Sequence, residues 1–194
     1  MTLASRSAAF GAALLLAACA TVAPPGEAPS GETLSGRLAV NVAATSASSG
    51  RALSAVFELQ GDARVGRLNL STPLGSMLAQ ARWSPAEVVL TTPRETRRFA
   101  SLDALTREAL GESVPIEAWF DWLRGRPWPG APSAAVDVAP AATANVSTSP
   151  PPRASGFRQL GWRVDLSQFG AGTIAAAREA PAPIVTVRIR LDGA

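Results

Sequence analysis

Apolar and polar residues alternate with a period of two through most of this chain, and short clusters of turn residues interrupt the alternation. Leu38, Val40 and Val42 fall on one side of an extended segment. So do Leu53, Ala55, Phe57 and Leu59, then Leu68 and Leu70, then Met77, Ala79, Ala81 and Trp83. Later, Trp162, Val164 and Leu166 alternate within FRQLGWRVDL, and Val185, Val187, Ile189 and Leu191 oppose Arg188 and Arg190. The segment 172–179 fits strand or helix, and the Glu179-Ala180-Pro181-Ala182-Pro183 stretch after it makes a hairpin end that favours strand. Short strands joined by tight turns predict an antiparallel sheet.

Two helical segments interrupt the strands. In SLDALTREALGE, Ser101 caps the first turn, Asp103 sits near the positive helix end, and Gly111 closes the helix with a left-handed residue; Leu102, Leu105 and Ala109 share a face. In PIEAWFDWLRG, Pro115 suits the first helical position and Gly125 the position after the last. Ile116, Trp119, Phe120 and Leu123 form one apolar stripe, which predicts Glu117, Asp121 and Arg124 on a polar opposite side.

Other stretches carry no period. Residues 1–18 hold Arg6 ahead of an apolar run too short for a bilayer that needs about 20 residues, the form of a signal peptide. Leu16-Ala17-Ala18 precedes Cys19, the only cysteine, as in the lipobox at which bacterial prolipoproteins are cleaved and acylated; an ordinary signal peptide containing a cysteine is the plainer alternative. Ala20 follows, not the aspartate that commonly marks inner-membrane retention, so the expected address is the periplasmic face of the outer membrane. Residues 19–33 read as a lipidated cysteine and flexible tether, and 34–194 as the folded domain. Within it, 129–156 is biased to Pro, Ala and Ser and predicts an inserted surface loop.

Composition removes much chemistry. There is no histidine, which excludes Ser-His-Asp catalysis and nearly every imidazole zinc site. All eighteen basic residues are arginine, so neither a Walker phosphate loop nor a Schiff base can form. Without Arg6, seventeen arginines stand against fifteen acidic residues, a net of +2, too scattered to predict nucleic-acid binding. Asp103, Glu108, Glu117 and Asp121 read as helix-surface charges, and no catalytic, cofactor or metal site is expected. Arg94, Arg97 and Arg98, with Glu95 beside Phe99, read as a solvated strand face or a protected edge, with docking to an acidic protein surface or to membrane phosphate groups as the functional alternative.

The stretch NLSTPLGSM puts Pro73, Leu74 and Gly75 between two strands. Proline fixes its own φ and glycine accepts a positive one, so the turn is well defined while its leucine is not. Leu74 either folds back over the core edge or stands out at the hairpin tip.

The lipobox, RLAV, LNLSTPLGSMLAQ, the helix ending WFDWLRGRPWPG and FRQLGWRV occur in an order that resembles the LolB family of outer-membrane lipoprotein receptors. The resemblance covers roughly 34–130 and 155–191. It implies an unclosed antiparallel β-barrel whose concave side, covered by short helices, forms a hydrophobic cavity for acyl chains. It further implies that the protein, a monomer, takes triacylated lipoproteins from a LolA-type periplasmic carrier and inserts them into outer-membrane lipid. By the same resemblance, Leu74 protrudes and delivers the client to the membrane. Phe57, Leu59, Leu68, Leu70 and Val164 on strands are the expected lining, with Trp83, Trp119, Trp122, Leu123 and Trp162; each tryptophan could equally fill the core. Trp128 would flank the mouth. The chain departs from the family in its Pro/Ala/Ser insertion and in ending RLDGA without a tryptophan. A scaffolding envelope lipoprotein with no cavity is the alternative reading.

Overall fold

A computed structural model describes residues 31–136 and 155–193. The leader, Cys19 and most of the segment read as a tether lie outside the described residues. Eleven strands form one antiparallel sheet: β1 (Thr33–Val42), β2 (Arg51–Gly61), β3 (Gly66–Ser71), β4 (Met77–Trp83), β5 (Val88–Thr91), β6 (Thr96–Phe99), β7 (Ser133–Val136), β8 (Gly156–Gln159), β9 (Trp162–Asp165), β10 (Thr173–Arg178) and β11 (Val185–Leu191). The spatial order is β6-β5-β4-β3-β2-β1-β11-β10-β9-β8-β7, so the chain's last strand pairs with its first, and β6 and β7 remain as free edges. The barrel is therefore open.

Register explains why the alternation reads so cleanly. Leu38, Val40 and Val42 lie opposite Ile189, Val187 and Val185, and Leu59 lies opposite Leu68, so each inward row is a continuous aliphatic ladder. All of these side chains are buried. Outward positions on the same strands carry Arg37, Arg188 and Arg190, and the arginine-rich β6 is indeed an edge.

Two helices fill the concave side. Helix α1 (Leu102–Leu110) begins at Ser101, whose hydroxyl accepts from the Ala104 amide at 3.0 Å, and ends at Gly111, φ +83°, whose amide donates to the Arg107 carbonyl at 2.8 Å. Helix α2 (Ile116–Trp122) departs from expectation. Pro115 is its cap, not its first residue, and the helix stops short of Gly125, whose positive φ of 72° turns the chain afterwards. The predicted polar side does not exist as such. Ala118, Asp121 and Trp122 are buried along with Ile116, Trp119 and Phe120, and only Glu117 among the residues of α2 is partly open to water. Asp121 accepts from Arg126 Nε at 2.7 Å. Burial, with a smaller contribution from Asp103, pushes the Glu117 carboxyl above its ordinary range. Arg124 pairs with Glu32 at 3.0 Å.

Two further corrections concern the last third. Loop throughout 129–156 does not hold at Ser133–Val136, which pairs with β8 as the outermost strand. Its side chains are mostly exposed, and an edge strand needs only backbone partners, which apolar composition does not report. FRQLGWRVDL is two strands, because Leu160 and Gly161, with φ of +53° and +77°, turn the chain between Gln159 and Trp162; Leu166 lies beyond β9.

Candidate functional site: an apolar cavity and the hairpin beside it

The concave side is not filled at the rim where β1 ends and β2 begins. A cavity of about 470 Å³ occupies the space. Val40 on β1, Leu53 on β2, Leu68 and Leu70 on β3 form one wall, and Leu105 and Leu110 of α1 face them. Val114, Ile116 and Trp119 close the inner end. Small side chains leave the volume open: Ala79 and Ala81 border it at inward positions of β4, and the exposed Ala52 and Ala109 border it from β2 and α1.

A break in alternation supplies part of the wall. Ser71 pairs with Met77 and Leu70 with Ala79, so Leu78 is an extra residue, a β-bulge. Consecutive residues Leu78 and Ala79 consequently both line the cavity, which regular pleating forbids.

The few polar groups at the boundary are already engaged. The Thr106 hydroxyl donates to the Asp103 carbonyl at 3.2 Å and accepts from the Val114 amide at 3.1 Å. Arg51 Nη1 donates to the carbonyls of Glu108 and Ala109 at 3.1 and 3.0 Å, satisfying the end of α1. Arg97 on β6 pairs with Glu108 and lies 5.3 Å from the Phe99 ring centre. Helix α1 is thus fastened over the cavity by exposed polar contacts, and what remains facing the void is hydrocarbon. Such a surface can bind chains without reading their headgroups.

Of the ten lining residues expected from sequence, Leu68, Leu70 and Trp119 border this cavity. Trp122 and Leu123 instead border, with Trp119, a void of about 10 Å³ on another side of α2. Phe57, Leu59 and Val164 are at most 1 % exposed and lie within the packed core. Trp83 packs edge-on against Phe120 at 6.0 Å, its indole donating to the Asp62 carbonyl, and Trp162 lies 6.2 Å from Trp122. Trp128 is half-buried against the core. Sequence reasoning missed Leu78, Leu90 and the α1 face; the inward alanines were the available signal.

The hairpin between β3 and β4 is built as the motif dictates. The Gly75 amide donates to the Thr72 carbonyl at 2.9 Å, the Ser76 amide to the Thr72 hydroxyl at 3.1 Å, and Gly75 has φ +86°. Leu74 does not fold back. It is 95 % exposed at the tip, four residues from Leu70 on one side and from Leu78 on the other. The hairpin stem is therefore cavity wall, and its tip, beyond the last residues of β3 and β4, carries a bare leucine.

Open antiparallel barrel, apolar cavity capped by a helix, and protruding apolar hairpin define a protein built to shelter a hydrophobic ligand. The family model described as outer membrane lipoprotein LolB matches residues 33–192. Three relatives, each an outer-membrane lipoprotein LolB, come from Bordetella petrii (34 % identity, 95 % of this chain and 90 % of the relative), Cupriavidus pinatubonensis (35 %, 90 % and 80 %) and Thiobacillus denitrificans (34 %, 80 % and 78 %). The chain belongs to the LolB family of outer-membrane lipoproteins.

Proposed function

We propose that this protein receives lipoproteins from a soluble LolA-type periplasmic carrier, shelters their acyl chains in the cavity, and inserts them into the outer membrane. The observation that carries this reading is the shared rim: the cavity and Leu74 belong to the same hairpin and the same end of the sheet. Each methylene left in water costs about 0.8 kcal/mol, so a triacylated client needs continuous shelter. The chain holds no lysine with which to build a Walker phosphate loop, and transfer runs by differential affinity, from carrier to cavity to bilayer. A scaffolding role leaves the cavity without a purpose.

Cys19 is the proposed lipid anchor, and the segment between it and Thr33 has the length to serve. Thirteen residues lie between the two, fourteen Cα-to-Cα steps with a reach of up to about 48 Å when extended, against about 33 Å for the ten residues of β1. Thr33 enters the sheet at the rim opposite Leu74, and that reach lets the Leu74 rim still face the membrane that holds Cys19. The protein acts as a monomer at the periplasmic face.

The test is a reconstituted transfer from client-loaded carrier to this protein in vesicles, with Leu74→Glu. The variant should accept client from the carrier as the parent does, yet release little into the bilayer. Normal insertion by Leu74→Glu would refute the role of the hairpin, and failure of the unaltered protein to accept client would refute the function.

A further inference from the structure

Four large apolar side chains are exposed among the described residues: Leu74, Ile184, Met77 and Leu160. Register places all four at one rim. Val42 pairs with both Arg51 and Val185, and Val185 pairs with Arg178, so the turn at 160–161 and the connections 43–50, 72–76, 92–95 and 179–184 lie together. The described turns at the opposite rim, 62–65, 84–87 and 166–172, expose no large apolar side chain.

Leu160 is the most telling of the four. Both residues of its two-residue hairpin turn have positive φ, a type I′ geometry that favours Asn and Gly. Leu160 is the only non-glycine residue with positive φ among the described residues, and 45 % of it stands open to solvent. The anchor behind it is rigid. Buried Gln159 accepts from the Trp122 indole at 2.8 Å and the Trp128 amide at 2.9 Å, and donates to the Trp128 and Ala131 carbonyls at 2.7 and 2.8 Å. A leucine in a conformation it disfavours is thus held outward by a fixed network.

Charge supplies the nature of the partner. Arg158 and Arg163 sit directly opposite each other across this turn, a like-charge pair that a sheet disfavours, and neither has an acidic partner among the described residues. Glu179 and Glu95 are the free acids at the same rim, and Glu112 is taken by Arg178. Apolar tips flanked by unpaired arginines match a bilayer carrying anionic headgroups, with hydrocarbon below and phosphate at the level of the guanidinium groups.

We propose that Leu160 and Ile184, with Arg158 and Arg163, form a second bilayer contact across the rim from the Leu74 hairpin. It deepens the reading of Leu74 as membrane-inserting and rests on it. Four strands, β2, β1, β11 and β10, separate the Leu74 hairpin from the Leu160 turn, with Ile184 between them ahead of β11, so together they set the tilt of the barrel and hold the cavity rim against the headgroups. Acyl chains then leave the cavity without crossing open water.

The test uses the full chain anchored in vesicles of phosphatidylethanolamine and phosphatidylglycerol. Single cysteines replacing Leu74, Leu160, Ile184, or Ala86 at the opposite rim carry an environment-sensitive fluorophore. Labels at Leu74, Leu160 and Ile184 should shift to the blue and be quenched by spin-labelled lipid, while the Ala86 label stays water-like. Leu160→Asn, which suits the turn better, should raise the melting temperature yet slow client insertion several-fold with carrier handover unchanged. A water-like signal at Leu160 and Ile184 with an inserted Leu74 label overturns this proposal alone. A water-like Leu74 label overturns the reading beneath it as well. Slower carrier handover by Leu160→Asn, with unchanged lipid contact, would assign the patch to a protein partner and also overturn it.

Discussion

Replacing Ala79 with phenylalanine tests the cavity with a dependence on chain length. A dry protein cavity of about 150 Å³ holds benzene, or roughly 25 Å³ per carbon. At that density 470 Å³ accommodates about nineteen carbons, one long acyl chain. A six-carbon ring added at Ala79, which borders the void, takes about 150 Å³ and leaves room for about thirteen carbons. A ten-carbon chain still fits, whereas a sixteen-carbon chain loses shelter for about three methylenes, or about 2.4 kcal/mol at ~0.8 kcal/mol each. Titrating singly acylated peptides should therefore give unchanged affinity for the decanoyl peptide and a drop of about fiftyfold for the palmitoyl peptide. The melting temperature should not fall, since the ring fills an apolar void. Equal effects on the two peptides, or no effect on either, would refute the assignment of this cavity to acyl chains. The same arithmetic bears on mechanism. Three chains need about three times the volume present, so receiving a whole client requires α1 to move, and its exposed ties through Arg51 and Arg97 are the contacts to give way.

Further outcomes concern stability. Glu117→Gln should stabilise the fold at pH 7, because the variant no longer has to ionise a half-buried carboxyl. The sign follows from burial: the folded carboxyl resists ionising, so its contribution in the parent is lost as pH rises from about 4.5 through the raised value, and the difference between parent and variant grows over that range, as urea melts at several pH values would record. Gly36→Ala should cost about 3 kcal/mol in the same melts, because the added carbon would sit 2.1 Å from the Arg190 carbonyl oxygen at the β1–β11 seam. A neutral Gly36→Ala would mean that the seam is not as tight as the register implies.

The strand faces, α1 with its caps, and the Pro73-Leu74-Gly75 turn were legible in the sequence because each depends on neighbours within a few residues. Alternation names the inward face of β1 or β11 wherever the strand ends up, and glycine at 75 or 111 answers a local demand on φ. What only the tertiary structure decided was depth. Phe57 and Leu70 are register partners with the same inward orientation, yet one is sealed in the core and the other borders the cavity, a difference set by segments distant in the chain and not by alternation. Leu78 enters the cavity through a bulge that pairing alone creates, and Leu160 turns the chain without a residue type that announces a turn. Leu74, Leu160 and Ile184 are far apart along the chain and share a rim only through hydrogen bonds between non-neighbouring segments. Periodicity is a property of a segment, whereas a cavity and a membrane-facing rim are properties of how segments close around one another.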